Sequence, residues 1–237
     1  MDINQHFIAI VPAAGVGKRM QANCPKQYLH INKQTILYHT VTKLLSHPLI
    51  TKVIIALGEN DQYFSTSGLA NHKDIIRVNG GAERVDSVLS GLKVVDSHIN
   101  PWVLVHDAAR PCVSLEDIDK LISQCLDTNC GGILASPVRD TMKRGTFLQD
   151  GLSRIDNTVE REQLWHALTP QLYKTDELTF AIEQALSKAL KITDEASAIE
   201  FAKLPSLLVL GSSENIKITN PDDLALAEFY LNKQLVK

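Results

Sequence analysis

Three short segments of this sequence carry residue types that can hold and transfer a phosphate. The first, Pro12-Ala13-Ala14-Gly15-Val16-Gly17-Lys18-Arg19-Met20, is a small-residue loop with two adjacent cations, and Lys26 follows a few residues later. Small side chains let backbone N–H groups approach an anion, while Arg19 and Lys26 can hold phosphate oxygens. Neither common phosphate loop fits. A dinucleotide fingerprint needs Gly where Met20 stands, and a Walker loop needs Gly at Pro12 and Ser or Thr at Arg19. The bland reading, a tight turn with solvated Lys and Arg, stays open at this point. The second segment, Gly80-Gly81-Ala82-Glu83-Arg84-Val85-Asp86-Ser87, sets a glycine pair ahead of a helical pattern and allows close contact with a base or phosphate. The third, His106-Asp107-Ala108-Ala109-Arg110-Pro111, follows an apolar run. A carboxylate there can hold Mg²⁺, which takes oxygen ligands beside substrate phosphates. His106 reads first as a hydrogen-bonded core histidine.

These loops need a scaffold that brings them to one edge. Short apolar runs at 8–11, 53–57, 75–78, 102–105, 132–135 and 207–210 suit strands covered on both faces. Between them Leu37, Val41, Leu44 and Leu45 repeat at helical spacing, as do Val85, Val88, Leu89 and Leu92, and Leu115, Ile118, Leu121, Ile122 and Cys125. That alternation predicts an α/β fold, a Rossmann-like doubly wound and mostly parallel sheet with helices on both faces. Loops that follow strands in such sheets line the ligand crevice. Residues 139–161 break the alternation: they are polar, with turn signals at Gly145 and at Asp150-Gly151, and read as an arm. Helices are expected across 175–190 and 193–203, and after Asn220-Pro221, where Asn caps and Pro takes the first helical position.

At 237 residues, 44% apolar and 22% charged, the chain is long enough to bury roughly 70% of its unfolded surface in one core. One domain over 1–237, with the arm inserted in it, is the expectation. Twenty-four Lys and Arg against 27 Asp and Glu leave a net charge of -3, which supplies no global field for nucleic acid or an anionic membrane. The cysteines at 24, 112, 125 and 130 lack paired zinc spacing and read as reduced thiols. No apolar run approaches the ~20 residues of a membrane helix. Residues 7–16 could mimic a signal core, but Pro12 and Gly15 interrupt them and no Lys or Arg precedes them. A cytoplasmic location is expected.

The three loops together resemble nucleotidyltransferases that make nucleoside-diphosphate adducts of polyol phosphates, and most closely the 2-C-methyl-D-erythritol 4-phosphate cytidylyltransferase family of non-mevalonate isoprenoid synthesis. The resemblance runs from about Ile8 to Phe229. It rests on P-A-A-G-x-G-x-R-M at 12–20, C-P-K-Q-Y at 24–28, H-D-A-A-R-P at 106–111, P-V-R-D-T-M-K at 137–143, L-W-H-A-L-T-P-Q at 164–171, I-T-D-E-A-S-A at 192–198 and N-I-K-I-T at 215–219. It implies transfer of CMP from CTP to 2-C-methyl-D-erythritol 4-phosphate, with Mg²⁺ present and pyrophosphate released. Arg19, Lys26, Arg161 and Lys217 would be catalytic. Pro12, Ala13, Ala14, Gly15, Gly17, Gly81, Ser87 and Ala108 would hold the nucleotide, largely through backbone groups. Asp107, which would also border the metal, together with Arg110, Thr141, Thr169 and Thr193, would position the second substrate. The family often carries Asp where this chain has Ala82, which puts one side-chain contact near the base in question.

Read without the resemblance, several of these residues are ordinary. Thr193 reads as a helix N-cap, Lys217 as an outward residue in an alternating Ile216-Lys217-Ile218 segment, and Arg161 as an exposed arm residue. The arm carries Met142, Phe147, Leu148, Leu152 and Ile155, which a second copy would cover. The resemblance implies a homodimer in which Thr141 and Arg161 reach the partner's site. Rival readings are a cytidylyltransferase for another polyol phosphate such as ribitol 5-phosphate, disfavoured by Ala13-Ala14-Gly15 in place of A-G-G, and a non-catalytic nucleotide-binding regulator.

The chemistry itself explains why no nucleophile-His-Asp set is present. A phosphate monoester is mostly dianionic at neutral pH and needs no base to become a nucleophile. The obstacle is repulsion between anions, about 4 kcal/mol per unit-charge pair at ~4 Å and an effective dielectric near 20. Cations must supply the catalysis.

Overall fold

All six apolar runs become strands of one seven-stranded sheet in the computed structural model, which describes residues 5–15, 24–148 and 151–235. In chain order these are β1 (Phe7–Pro12), a small hairpin of β2 (His30–Ile31) and β3 (Gln34–Thr35), α1 (Ile36–Leu45), β4 (Ile50–Leu57), β5 (Ile75–Asn79), α2 (Arg84–Leu92), β6 (Trp102–Val105), α3 (Leu115–Thr128) and β7 (Gly132–Pro137). A second hairpin, β8 (Met142–Phe147) and β9 (Ser153–Val159), precedes β10 (Trp165–Lys174), α4 (Thr175–Ser187), α5 (Glu195–Phe201), β11 (Leu207–Leu210) and α6 (Asp222–Leu235).

The sheet order is β11-β7-β10-β6-β1-β4-β5. Only β10 runs antiparallel to its neighbours, β6 and β7; the other pairs are parallel. From β1 the chain moves outward through β4 and β5, then returns to place β6 on the other side of β1. The carboxyl ends of β1 and β6 therefore flank the point where the order reverses, which is where open α/β sheets bind ligands.

Alternation along the central strands feeds two cores. Ala9, Val11 and Leu104 join Leu37, Val41, Ile118 and Leu121 on one face, while Ile10, Val103 and Val105 join Val88, Leu178, Ile182 and Ile199 on the other. Both faces of β1 and β6 are buried, which explains their unbroken apolar runs. The edges differ: β5 is only half-buried, and Leu208 and Leu210 of β11 are exposed.

Several local expectations need correction. Sequence reading missed β10, which carries Pro170 in its middle, because proline cannot donate to a ladder. The structure accommodates it where the β10–β7 register shifts between Ala167 and Gln171. Gly145 is not a turn but lies within β8, at a register shift with β9, where a Cβ would meet the Arg154 carbonyl oxygen at 3.0 Å. The expected turn at Asp150 lies outside the described residues, whereas Gly151 takes a positive φ of 82° beside it. The cap of α5 is Asp194 rather than Thr193: its carboxylate accepts from the Ser197 N–H at 3.0 Å. α6 starts at Asp222, and the carboxylate of Asp223 accepts from the N–H groups of Thr219 and Asn220 at 2.7 and 2.9 Å. No helix among the described residues is long and apolar enough to cross a membrane.

Candidate active site

β1 ends by delivering a loop of small residues to the sheet's carboxyl edge. The Ala13 N–H donates to Ala56 O at 2.8 Å, and buried Gln27 donates through Nε2 to Ala13 O at 2.7 Å, so the peptide groups on both sides of Ala13 are fixed. The turn after β5 closes on it. A Cβ on Gly80 would stand 2.4 Å from Ala14 Cβ, and one on Gly81 would stand 2.1 Å from Asp86 Cβ, so this approach requires the glycine pair. Ser87 Oγ accepts from the Gly81 N–H at 3.1 Å, which holds the turn over the start of α2. Pro12, Ala13, Ala14, Gly15, Gly81, Ser87 and Ala108 thereby line one cleft of about 190 Å³, together with Lys26 and Lys217. Ala82, at the departure from the family pattern, also lines it. Gly17 and Arg19 lie outside the described residues.

At the floor of this cleft, Asp107 is the centre of a charge cluster. Its Oδ1 accepts from Arg84 Nε at 2.9 Å, and its Oδ2 meets Lys217 Nζ at 2.8 Å and Arg110 Nε at 3.4 Å. Arg84 also grips Glu195 through both terminal nitrogens, at 2.6 and 3.1 Å. Burial opposes ionisation of Asp107, but Arg84, Lys217 and Arg110 outweigh it and hold the carboxyl well below the usual carboxylate range. Burial likewise works against the Arg84 charge, and Glu195 and Asp107 overcome it, raising its pKa. Burial draws Arg110 below its ordinary value despite Asp107. Three cations thus face two carboxylates, and the cluster stays net positive.

Packing brings Lys217 there. Residues 215–218 form no strand, contrary to the alternating pattern; the segment is laid across the 106–111 loop. The Ile218 N–H donates to Ala109 O at 2.9 Å, Arg110 donates to Asn215 O at 2.7 Å, and Asn215 Nδ2 donates to Thr169 O at 2.7 Å. Lys26 Nζ donates to Ile218 O at 3.1 Å, so Lys26 and Lys217 face the same cleft.

A second cleft of about 250 Å³ opens beside the cluster. Arg84, Asp107 and Lys217 line both clefts, while Arg110, Thr169, Gln171 and Thr193 line the second alone. His106 is fully buried beneath it and neutral: its Nε2 donates to Arg110 O at 3.0 Å and its Nδ1 accepts from the Thr169 hydroxyl at 2.9 Å. Burial pushes its pKa down to about 4. The core reading of His106 fits this geometry. Thr169 in turn accepts from the Asp107 N–H at 3.1 Å, so its hydroxyl is engaged on both sides and orients the Asp107 loop.

Two sequence-derived site residues stand apart. Thr141 and Arg161 are exposed at the base of the β8–β9 hairpin and line neither cleft; the Arg161 guanidinium donates to the Arg139 carbonyl. Sequence reasoning also missed Arg84, Glu195, Gln27 and Asn215. All four sit inside segments quoted above, but nothing local marks Gln27 and Asn215 as braces. Arg84 opens a helix, where a cation ordinarily faces water, and its partner Glu195 is remote in sequence.

The expectation that Asp107 ligates a metal fits this arrangement poorly. Both carboxylate oxygens are engaged by cations, and among the described residues no group of three or more His, Cys, Asp or Glu is placed to hold an ion.

With this geometry in view, comparison with known proteins is specific. The family described as "IspD: 2-C-methyl-D-erythritol 4-phosphate cytidylyltransferase" matches residues 7–233. A 2-C-methyl-D-erythritol 4-phosphate cytidylyltransferase from Colwellia psychrerythraea is 75% identical over 232 residues, covering 96% of each chain. One from Vibrio parahaemolyticus is 58% identical over 234 residues, 98% of each. The crystal structure of the Francisella tularensis enzyme of the same name superposes with a TM-score of 0.80 at 38% identity, over 95% of this chain and all of that one.

Proposed function

Because this chain belongs to the 2-C-methyl-D-erythritol 4-phosphate cytidylyltransferase family and is a cytidylyltransferase joining CTP to that polyol phosphate, we propose how its two clefts divide the work. CTP takes the cleft at the end of β1, its base and ribose against the backbone at 12–15, Gly81, Ser87 and Ala108. Methylerythritol phosphate takes the cleft bordered by Arg110, Thr169 and Thr193. The observation that carries this reading is the Asp107 cluster, which forms the shared wall and has Lys217 on it and Lys26 beside it.

A phosphate oxygen of the polyol phosphate attacks the α-phosphorus of CTP; that P–O bond forms as the bond from the α-phosphorus to the oxygen bridging to the β-phosphate breaks, and pyrophosphate leaves with the electron pair. The nucleophile is already ionised, so no protein base takes a proton. Lys26 and Lys217 offset the repulsion between the anions, and Arg19 is assigned the same role from its motif. Mg²⁺ remains the proposed cofactor, and it would neutralise charge on the triphosphate.

The chain works as one nucleotidyltransferase unit with the 139–161 arm inserted. On the arm Phe147, Leu152 and Ile155 are 87, 64 and 64% exposed, and a second copy would cover them. Thr141 and Arg161 would then serve the partner's second cleft, which accounts for their distance from the clefts of their own chain. All four cysteines are free, as suits a cytoplasmic protein. Incubation with labelled CTP, Mg²⁺ and either methylerythritol phosphate or ribitol 5-phosphate tests the assignment. Product from the first is expected; product from ribitol phosphate alone would reverse it.

A further inference from the structure

Arg84 stands on the wall between the two clefts and touches both carboxylates buried there. Glu195 is 2% exposed although it lies in the first turn of α5, where an acidic residue commonly needs no partner but water. Arg84 is the group that satisfies it. The three cations on Asp107 are anchored differently: Arg110 bonds the Asn215 carbonyl, Lys217 is more than a third exposed, and Arg84 alone is clamped to α5. Its planar fork fixes direction as well as distance, as a lysine could not.

We propose that Arg84 is a positioning residue for the transfer, holding the Asp107 carboxylate and the Thr193–Asp194–Glu195 turn at one spacing. The inference rests on the two-cleft reading above. Thr193 and Asp107 both line the second cleft, one just before α5 and the other on the loop after β6, and Arg84 bonds Asp107 and Glu195 from between them. Gln171 also braces the α5 turn, donating to Asp194 Oδ2 at 3.0 Å and accepting from the Ala196 N–H at 2.9 Å, so what Arg84 adds is the direct link from that turn to the Asp107 carboxylate. A buried ion pair is by itself weak ground for stability, since well-packed apolar replacements often serve as well. Positioning and stability can therefore be separated by experiment.

The double variant Arg84→Met, Glu195→Met removes both charges together and leaves neither unpaired. It should melt close to wild type and keep its dissociation constant for CTP within about threefold, while kcat/KM for methylerythritol phosphate falls about 100-fold, the cost of slight misplacement. Arg84→Lys keeps the charge without the fork and should remain at least about tenfold impaired, so it decides the matter if the double variant folds poorly. Wild-type turnover in either variant would overturn the proposal, as would a loss of CTP affinity equal to the loss of rate. A wild-type chain that made no product would sink the assignment of the clefts; an active wild type matched by an equally active double variant would sink only the role of Arg84.

Discussion

The Lys217 ammonium lies 2.8 Å from the Asp107 carboxylate while 39% of its side chain remains exposed. Among the described residues it is the one of the three cations on that carboxylate with no second anchor, since Arg84 is clamped by Glu195 and Arg110 by the Asn215 carbonyl. Asp107 therefore holds Lys217 on the wall shared by both clefts, where an incoming phosphate can draw it away. Replacing Lys217 with Gln should lower turnover by about 100-fold, typical of losing one transition-state charge contact. CTP affinity, measured by calorimetry, should change far less. Equal losses in both would make Lys217 a tether for the nucleotide.

His106 gives a pH signature. Burial lowers its pKa to about 4, whereas the unfolded ring titrates near 6.5. Above that unfolded value the ring leaves stability unchanged with pH; as pH falls from about 6.5 to about 4 the unfolded chain takes up a proton that the folded chain refuses. Stability should decline across this window by on the order of 3 kcal/mol. Asp107 acts lower down: its depressed pKa contributes stability above about pH 4 that is lost as pH falls through the folded value. Urea titrations at several pH values should show the first slope, and His106→Gln should flatten it. An unchanged slope would contradict the buried neutral ring.

The glycine turn offers a test of nucleotide placement. Gly80→Ala puts a Cβ within 2.4 Å of Ala14 Cβ and 2.9 Å of Ser87 Oγ, so the turn must back away from the 12–15 loop. The expected result is at least about a tenfold weaker CTP complex, or 1.4 kcal/mol, in a chain that still folds. Undiminished CTP binding would remove this turn from the nucleotide site.

The hairpin should mediate pairing of chains. Phe147→Asp with Ile155→Asp places two charges on its exposed apolar side and is expected to convert a dimer to monomers in sedimentation. If sites are shared, mixing Arg161→Ala chains with Lys26→Ala chains should restore part of the activity that each lacks alone. A fully active monomer would end the shared-site reading.

Much of the scaffold was legible because burial on both faces writes long apolar runs, as in Val103-Leu104-Val105, and helices leave a spacing such as Ile118, Leu121, Ile122 and Cys125. β10 was hidden because Pro170, Thr169 and Gln171 interrupt its pattern, yet it lies between β6 and β7 and supplies the Thr169 brace. The loops at 12–15, 80–87 and 106–111 were legible as candidates by residue type. Their meeting was not, because it depends on strand order. The Arg84–Glu195 clamp was least legible: each residue alone matches an ordinary helix start, and only tertiary packing buries them together.

Charge stabilisation at the meeting of the clefts is tested most directly by the turnover of Lys26→Ala at saturating CTP and methylerythritol phosphate, set beside its dissociation constant for CTP. On the proposed assignment Lys26 would meet the reacting phosphate more strongly as negative charge redistributes, so kcat should fall by about 100-fold or more while the dissociation constant rises only a few-fold. A variant with wild-type kcat and only a raised KM would contradict the account.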